Sequence, residues 1–188
     1  MNTPHEFDST DQAEVMLLPA TSLQQGMLFH ALSEAGSGVD IEQIHFDLHE
    51  EVNVDEFVAA WQTVLGRHAV LRARFLVEGS NAPMLAVPTQ VRLPVEILDW
   101  THLPEPDQDI ELEKLCQQDR TRDFDLLESP LMRLQLVKRS AVRTSGLWTF
   151  HHALLDGRSF PIILREVFAQ YDGLASPEAT DARPFEDY

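Results

Sequence analysis

The sequence predicts one unit of the mixed α/β class. Alternating and helical patterns follow one another along the chain. Ile44, Phe46 and Leu48 alternate with polar residues, which is typical of a half-buried strand. A helical repeat follows, and its apolar members are Phe57, Val58, Trp61, Val64 and Leu65. No internal repeat or linker composition interrupts the 188 residues, so we expect one unit without an interior boundary.

The N-terminal part of the chain predicts a leader followed by a helix. Residues 1–15 are polar and acidic without periodicity, and we expect a mobile leader there. Thr21 followed by Gln24 has the pattern of a capping box and predicts a helix start. Gly26 would cost about 1 kcal/mol in the helix interior, which close packing against another backbone or chance would explain. The residues expected to face the core are Leu23, Met27, Leu28 and Ala31.

The middle of the chain alternates between helix and strand patterns. Asn53 with Glu56 predicts the start of a second helix, which ends near His68. Alternation then predicts a strand over 71–77, a hairpin-like turn over 77–83 and a partner strand over 84–87. Further short strands are predicted over 95–98, over 131–137 and from Leu147, with a turn over 124–130 and a loop over 140–146.

Two more helices are predicted in the second half. One runs over 107–122 and would bury Ile110, Leu112, Leu115 and Cys116. Cys116 is best interpreted as a small core residue, because no nearby group would stabilise its thiolate. Ser159 followed by Pro161 predicts the N-terminus of the last helix, and Gly173 predicts its end. Its apolar stripe consists of Ile163, Leu164, Val167, Phe168 and Tyr171.

Composition and charge exclude several classes of function. The net charge of -17 argues against a nucleic-acid or anionic-membrane partner, because phosphates would be repelled. No stretch approaches the roughly 20 apolar residues of a membrane span, and the polar N-terminus lacks the pattern of a secretory signal. The lone Cys116 excludes an internal disulfide and favours a cytoplasmic location.

The stretch 147–160 carries the most informative polar residues. An apolar run leads to His151 and His152, and Asp156 and Gly157 follow them. Successive side chains of a strand point to opposite faces, so the two histidines cannot serve the same pocket. We therefore expect one histidine to be structural and the other to be chemical. The alternative is that both merely end a strand before an Asp-Gly turn.

A metal site is a second possibility that the sequence raises. His45, Asp47 and His49 share one face of the predicted strand over 44–48. The face opposite a core is usually solvated, and zinc sites need a closed ligand set, so the pattern argues only weakly for metal. The chain also lacks a Gly-rich phosphate loop, a Cys pair and an H-E-x-x-H motif, so nucleotide and metal chemistry gain no support.

Three motifs occur in a fixed order. The first comprises Thr21, Gln24, Leu28 and Phe29; the second comprises Arg67, His68, Leu71, Arg72 and Phe75; the third comprises His151, His152, Asp156 and Gly157. Together they resemble the N-terminal lobe of the condensation domains of nonribosomal peptide synthetases, within the chloramphenicol-acetyltransferase-like superfamily. Ala69, Ala73 and Arg158 depart from the family pattern, which more often has Glu, Thr and Trp there.

The resemblance implies a domain organisation. It implies a two-layer α/β lobe at residues 16–175, in which a mixed sheet is packed by helices, and it places the start of a connection to a second lobe at residues 176–188. A full condensation domain contains two such lobes with the reaction tunnel between them. The sequence therefore looks like a truncated or excised first lobe, which we expect to be inactive alone.

The resemblance also implies a reaction. Two substrates are carried as thioesters on the phosphopantetheine arms of a donor and an acceptor carrier protein, and an amide bond joins them. His152 is implied as the chemical residue, either as a general base or by positioning the amine, whereas His151 and Arg67 are implied to be structural. Asp156 would pin its loop through an Arg of the missing lobe, and would lack that partner here. Gly157 would place its amide near the reacting carbonyl. The expected partners are the carriers and the missing lobe, with no cofactor or metal bound by the chain itself.

Two other functions stay open on the sequence. A free-standing acyltransferase of this superfamily would form a trimer and use a CoA thioester as donor. A non-catalytic lobe would only bind a carrier protein or a partner lobe. The acidic charge fits carrier binding poorly, because carriers are usually acidic, so a local basic face near Arg158 and Arg165 would be required.

Overall fold

The computed structural model describes residues 15–34, 38–77 and 82–174, and these form two sheets and four α-helices. The helices are α1 (Ser22–Ser33), α2 (Val54–Arg67), α3 (Glu105–Arg120) and α4 (Phe160–Tyr171). The strands are β1 (Val15–Pro19), β2 (Ile41–Leu48), β3 (Arg74–Leu76), β4 (Met84–Pro88), β5 (Val95–Asp99), β6 (Met132–Ser140) and β7 (Arg143–His151). The leader up to residue 14, much of the turn over 77–83 and the tail over 175–188 lie outside the described residues.

The larger sheet has four strands in the order β2-β7-β6-β5. β7 pairs antiparallel with both β2 and β6, whereas β5 runs parallel to β6, so this sheet is mixed. The smaller sheet has three antiparallel strands in the order β1-β4-β3. The predicted α/β class, with a mixed sheet packed by helices, is confirmed.

Different helices cover the two faces of the larger sheet. On one face Trp148 of β7 contacts Trp61 of α2, with ring centroids 4.9 Å apart and both rings fully buried. On the other face Asp119 of α3 accepts hydrogen bonds from Arg133 Nε at 2.6 Å and from Thr149 Oγ1 at 2.5 Å. Because both faces are covered, residues 132–137 are buried without a break although their sequence alternates.

The first two helices begin where the sequence predicts. Thr21 and Gln24 form the capping box of α1, and the Asn53 side chain accepts from the Glu56 N–H at the start of α2. One predicted core residue of α1 is wrong, since Leu23 is 69% exposed while Met27 and Leu28 are buried. Of the two explanations for Gly26, chance is favoured over close packing, because among the described residues outside its own helix turns no atom lies within 4 Å of where its Cβ would be.

Several strand predictions need correction. β1 was not predicted, and it begins at Val15, which pairs with Pro88 of β4 rather than belonging to the leader. Residues Ala69–Arg72 form a 3-10 helix, so the strand predicted over 71–77 is reduced to β3. The loop predicted over 140–146 is mostly wrong, because only residues 141–142 turn and β7 starts at Arg143.

Helix α3 buries fewer apolar residues than predicted. Ile110 is 53% exposed, whereas Leu112 is buried together with the polar side chains of Gln108 and Asp119. Cys116 is half-buried, and burial raises the pKa of its thiol, which opposes a role as a nucleophile. Among the described residues, no helix combines the length and hydropathy that a bilayer crossing requires.

Candidate functional site

The two histidines of the third motif lie at the end of β7, where neighbouring backbone fixes them. The His151 N–H donates to Leu131 O at 2.9 Å, and the His152 N–H donates to Asp40 O at 2.8 Å. Asp40 directly precedes β2 and Leu131 directly precedes β6. The position of both histidines is therefore set by the strands on either side of β7.

His151 is enclosed by the protein. It is only 3% exposed, and its Nδ1 accepts from the Ala153 N–H at 3.2 Å. Burial lowers the pKa of His151, which keeps the ring neutral at physiological pH. The ring lines a cavity of about 580 Å³ between α1, the start of β2 and residues 123–127, and His152 does not line it. The two histidines therefore do not share this cavity, in line with the expectation that they have different roles.

His152 is half-buried and makes a side-chain hydrogen bond with the turn that follows it. Its Nδ1 lies 2.9 Å from Leu155 O. A backbone carbonyl can only accept, so this contact requires the proton on Nδ1. In the neutral ring the lone pair is then on Nε2, which becomes the basic atom. No sequence pattern predicted this contact, because the acceptor is a backbone oxygen of a residue with an apolar side chain.

Asp156 organises the turn between β7 and α4. Its Oδ1 accepts from Arg158 N at 2.9 Å, from Ser159 N at 2.8 Å and from Ser159 Oγ at 2.7 Å. The hydrogen bond from the Ser159 side chain, followed by those from the two N–H groups, lowers the pKa of Asp156. The Arg partner that the resemblance implies for Asp156 would lie in the missing lobe, but these three hydrogen bonds already fix the carboxylate within this lobe. Ser159 lies at the predicted N-cap position of α4, but its hydroxyl binds Asp156 and makes no cap.

Gly157 lies in the open part of the same turn. It is exposed, and no described atom lies within 4 Å of where its Cβ would be. A larger residue would therefore meet nothing within the described part of the lobe. The implied role of its amide near a reacting carbonyl stays a prediction.

Arg67 lies at the junction of α2 and α4. Its Nη1 donates to Glu166 Oε2 at 3.0 Å, and its Nη2 donates to Gln170 Oε1 at 3.3 Å. The same Glu166 oxygen lies 3.0 Å from His68 Nε2, and Glu166 is only 2% exposed. The second motif thus holds α4, the helix that follows the histidine turn, and these contacts support the structural role predicted for Arg67.

The side chains proposed for the alternative metal site contact other residues of the lobe instead. Asp47 accepts a hydrogen bond from Ser145 Oγ at 2.5 Å and one from Arg143 Nη2 at 2.9 Å. His45 Nε2 lies 3.5 Å from Asp47 Oδ1. Across the ranges that the structure describes, no group of three His, Cys, Asp or Glu side chains is arranged to hold a metal ion. Asp47 instead joins β2 to β7 and, through Arg143, to Glu105 of α3.

Known proteins are similar to this chain in sequence and in fold. The family model of the Condensation domain matches residues 15–188. One of the subunits of linear gramicidin synthase from Brevibacillus parabrevis is 46% identical over 151 residues, covering 80% of this chain and 3% of the relative. Another of the subunits of that synthase is 38% identical over 181 residues, covering 95% of this chain and 2% of the relative. This chain thus spans a few per cent of the length of these curated relatives.

A solved structure shows the same architecture. The crystal structure of the starter condensation domain of rhizomide synthetase RzmA matches with a TM-score of 0.76 and 17% identity. The match covers 87% of this chain and 41% of that chain, as expected for one of two lobes. The chain therefore belongs to the condensation domain family, and it corresponds to the N-terminal lobe of a nonribosomal peptide synthetase condensation domain.

Proposed function

We propose that this lobe supplies the histidine of a site that forms amide bonds between carrier-tethered thioesters. The observation that carries the proposal is the contact of His152 Nδ1 with Leu155 O, which makes Nε2 the basic atom of a half-buried ring. Membership of the condensation domain family supports the reaction class. The lobe is proposed to act together with a second lobe, which would enclose the substrates.

The proposed reaction needs no activated protein nucleophile. The acceptor's amine nitrogen attacks the donor's thioester carbonyl, a C–N bond forms, the C–S bond breaks, and the sulfur leaves as the pantetheine thiol. His152 Nε2 accepts a hydrogen bond from the attacking amine, either as a general base that passes the proton to the leaving sulfur or as a group that orients the amine. A neutral imidazole whose Nε2 carries the lone pair can serve in either role.

The proposed partners follow from this reaction. A donor and an acceptor carrier protein deliver the substrates on phosphopantetheine arms, so the arms are substrates of the lobe and not its own cofactor. The net charge of -17 requires that acidic carriers meet a locally favourable surface, and the exposed Arg158 lies beside the site turn. The cytoplasmic location stays a prediction.

The test measures amide formation by this chain combined with the second lobe of a related condensation domain and two loaded carriers. We expect His152→Ala to lower the rate by about 10²- to 10⁴-fold, the usual contribution of a general acid or base. The control is His102→Ala, because His102 lies outside the site turn, in the segment between β5 and α3. An unchanged rate in His152→Ala would remove this histidine from the mechanism.

A further inference from the structure

The side chain of Gln24 joins helix α1 to the turn that carries His152. Gln24 is only 7% exposed, and its Nε2 donates to Ala153 O at 3.0 Å. Its Oε1 accepts from Thr21 N at 2.9 Å and from Thr21 Oγ1 at 3.1 Å. A carbonyl accepts and an N–H donates, so these partners fix the orientation of the amide. Gln24, the N3 residue of the α1 capping box, therefore makes a second, long-range contact that capping does not require.

Ala153 lies between the two residues whose contact sets the His152 tautomer. His152 Nδ1 contacts Leu155 O, and Ala153 follows His152 directly in this turn. The Ala153 N–H donates to His151 Nδ1, and the Leu154 N–H donates to His151 O at 3.0 Å. The N–H of Ala153 is thus held by the sheet end, while its carbonyl is held by Gln24. Without the Gln24 amide, the peptide plane after Ala153 loses its contact with α1.

We infer that Gln24 is a positioning residue for His152: by holding Ala153 O, it keeps Leu155 O against Nδ1 and so keeps the basic lone pair on Nε2. The inference rests on the function proposed above, because it assigns Gln24 to the same site. A positioning role differs from a purely structural role in one respect. A helix cap affects the stability of α1, whereas a positioning residue also changes the protonation pattern of the imidazole.

The test compares Gln24→Met with Gln25→Met in the full chain. Methionine keeps the length and apolar stem of glutamine but has no N–H donor. Gln25 is the matched control, because within the described part of the chain its Nε2 donates locally, to Ala20 O at 2.8 Å, and not to the histidine turn. ¹⁵N NMR of the His152 ring reports which nitrogen carries the proton. We expect an Nδ1–H ring in the wild type and in Gln25→Met, and a mixture containing the Nε2–H form in Gln24→Met.

A second variant separates the contact from the cap. Gln24→Glu keeps an oxygen that accepts from Thr21 but loses the N–H that donates to Ala153 at neutral pH. The inference predicts that it shifts the His152 tautomer as Gln24→Met does, and that Thr21→Val does not. A wild-type His152 spectrum in a folded Gln24 variant would overturn the inference. So would an equal shift in Gln25→Met, or failure of both Gln24 variants to fold, which would make the residue structural.

Activity gives a readout that is independent of the spectrum. With the second lobe and loaded carriers present, Gln24→Met should lower kcat by about 10- to 100-fold at unchanged KM, the effect expected of a misplaced catalytic group. Adding Gln24→Met to His152→Ala should lower the rate no further. If His152→Ala proves fully active, the proposed function fails, whereas the tautomer measurement still decides whether Gln24 holds the ring.

Discussion

His151 and His152 are neighbours in the chain with different surroundings. His151 is buried and accepts from the Ala153 N–H, whereas His152 is half-buried and contacts Leu155 O. The first ring is therefore kept neutral by the cost of desolvating its charged form. The second is oriented by the backbone, with its basic nitrogen directed away from that contact. His151 is the last residue of β7 and His152 is the first residue of the turn that follows, so the two rings have different surroundings.

The buried state of His151 predicts a pH dependence of stability. Its folded-state pKa lies below the unfolded value of about 6.5, so the unfolded chain binds more protons as pH falls. The contribution of neutral His151 to the free energy of unfolding should be complete above about pH 6.5. The free energy of unfolding should then decrease as pH falls towards the folded-state pKa of His151. Of the charged groups facing His151, Asp40 and Asp123 oppose this shift of its pKa and His152 adds to it.

Urea unfolding at about pH 7.5 and about pH 5.5 measures this effect. His151→Asn is the matched variant, because its side-chain oxygen can still accept from the Ala153 N–H but does not titrate. We expect a smaller loss of stability on acidification in His151→Asn than in the wild type. Equal losses in both proteins would show that His151 is not the titrating group.

At the level of single elements, local signals predicted the helices better than the strands. The starts of α1 and α2 are fixed by capping residues that lie within a few positions of each other, so both starts can be predicted from the sequence. β1 lacks alternation, and only its pairing with β4 makes it a strand. The alternation of Leu71, Ala73 and Phe75 reflects burial in a 3-10 turn followed by a short strand. The Leu155 and Ala153 carbonyl contacts depend on turn geometry, which no side-chain pattern encodes.

The pairing of β2 with β7 contains a position that tolerates only glycine. Gly146 lies opposite Phe46, and a Cβ there would lie 2.2 Å from Phe46 Cζ. The Phe46 ring also contacts Phe57 and Phe168, at centroid distances of 6.2 and 6.0 Å. Any side chain at Gly146 must displace this ring from its neighbours.

Gly146→Ala should therefore lower the free energy of unfolding by about 1–3 kcal/mol, as overpacking usually does. The measurement is urea unfolding of the single variants and of the double variant with Phe46→Ala. We expect Gly146→Ala to cost much less when Phe46→Ala is present, because the clashing ring is gone. Additive costs would mean that the ring does not cause the penalty. The control is Gly26→Ala, since no atom lies near that position and Ala favours a helix.

At the scale of the molecule, negative charge is spread over one small lobe. The net charge of -17 produces self-repulsion that opposes the compact state, and salt screens it. The described ion pairs act in the other direction, but several are partly exposed and contribute little. The net charge follows directly from the composition, and the fold class could be predicted from the sequence. It did not predict which strands share a sheet, because that depends on contacts between distant residues.

Raising the salt concentration from roughly 0.01 M to roughly 0.15 M should therefore raise Tm. Thermal unfolding followed by circular dichroism measures this at neutral pH. The rise should be smaller at about pH 5.5, nearer the isoelectric point of about 4.6, because less charge remains to be screened. A Tm that falls with added salt would show that ion pairs dominate over repulsion.

The pairing of Ile41 with His151 has a consequence for biosynthesis. β2 is translated well before its partner β7, because the segment 49–142 lies between them in the chain. Until then the hydrogen-bonding edge and apolar face of the nascent β2 have no native cover, and such surfaces are prone to aggregate. The histidine turn therefore cannot be fixed against β2 until β7 has been translated, and a chaperone that shields β2 during that interval should raise the yield of folded protein.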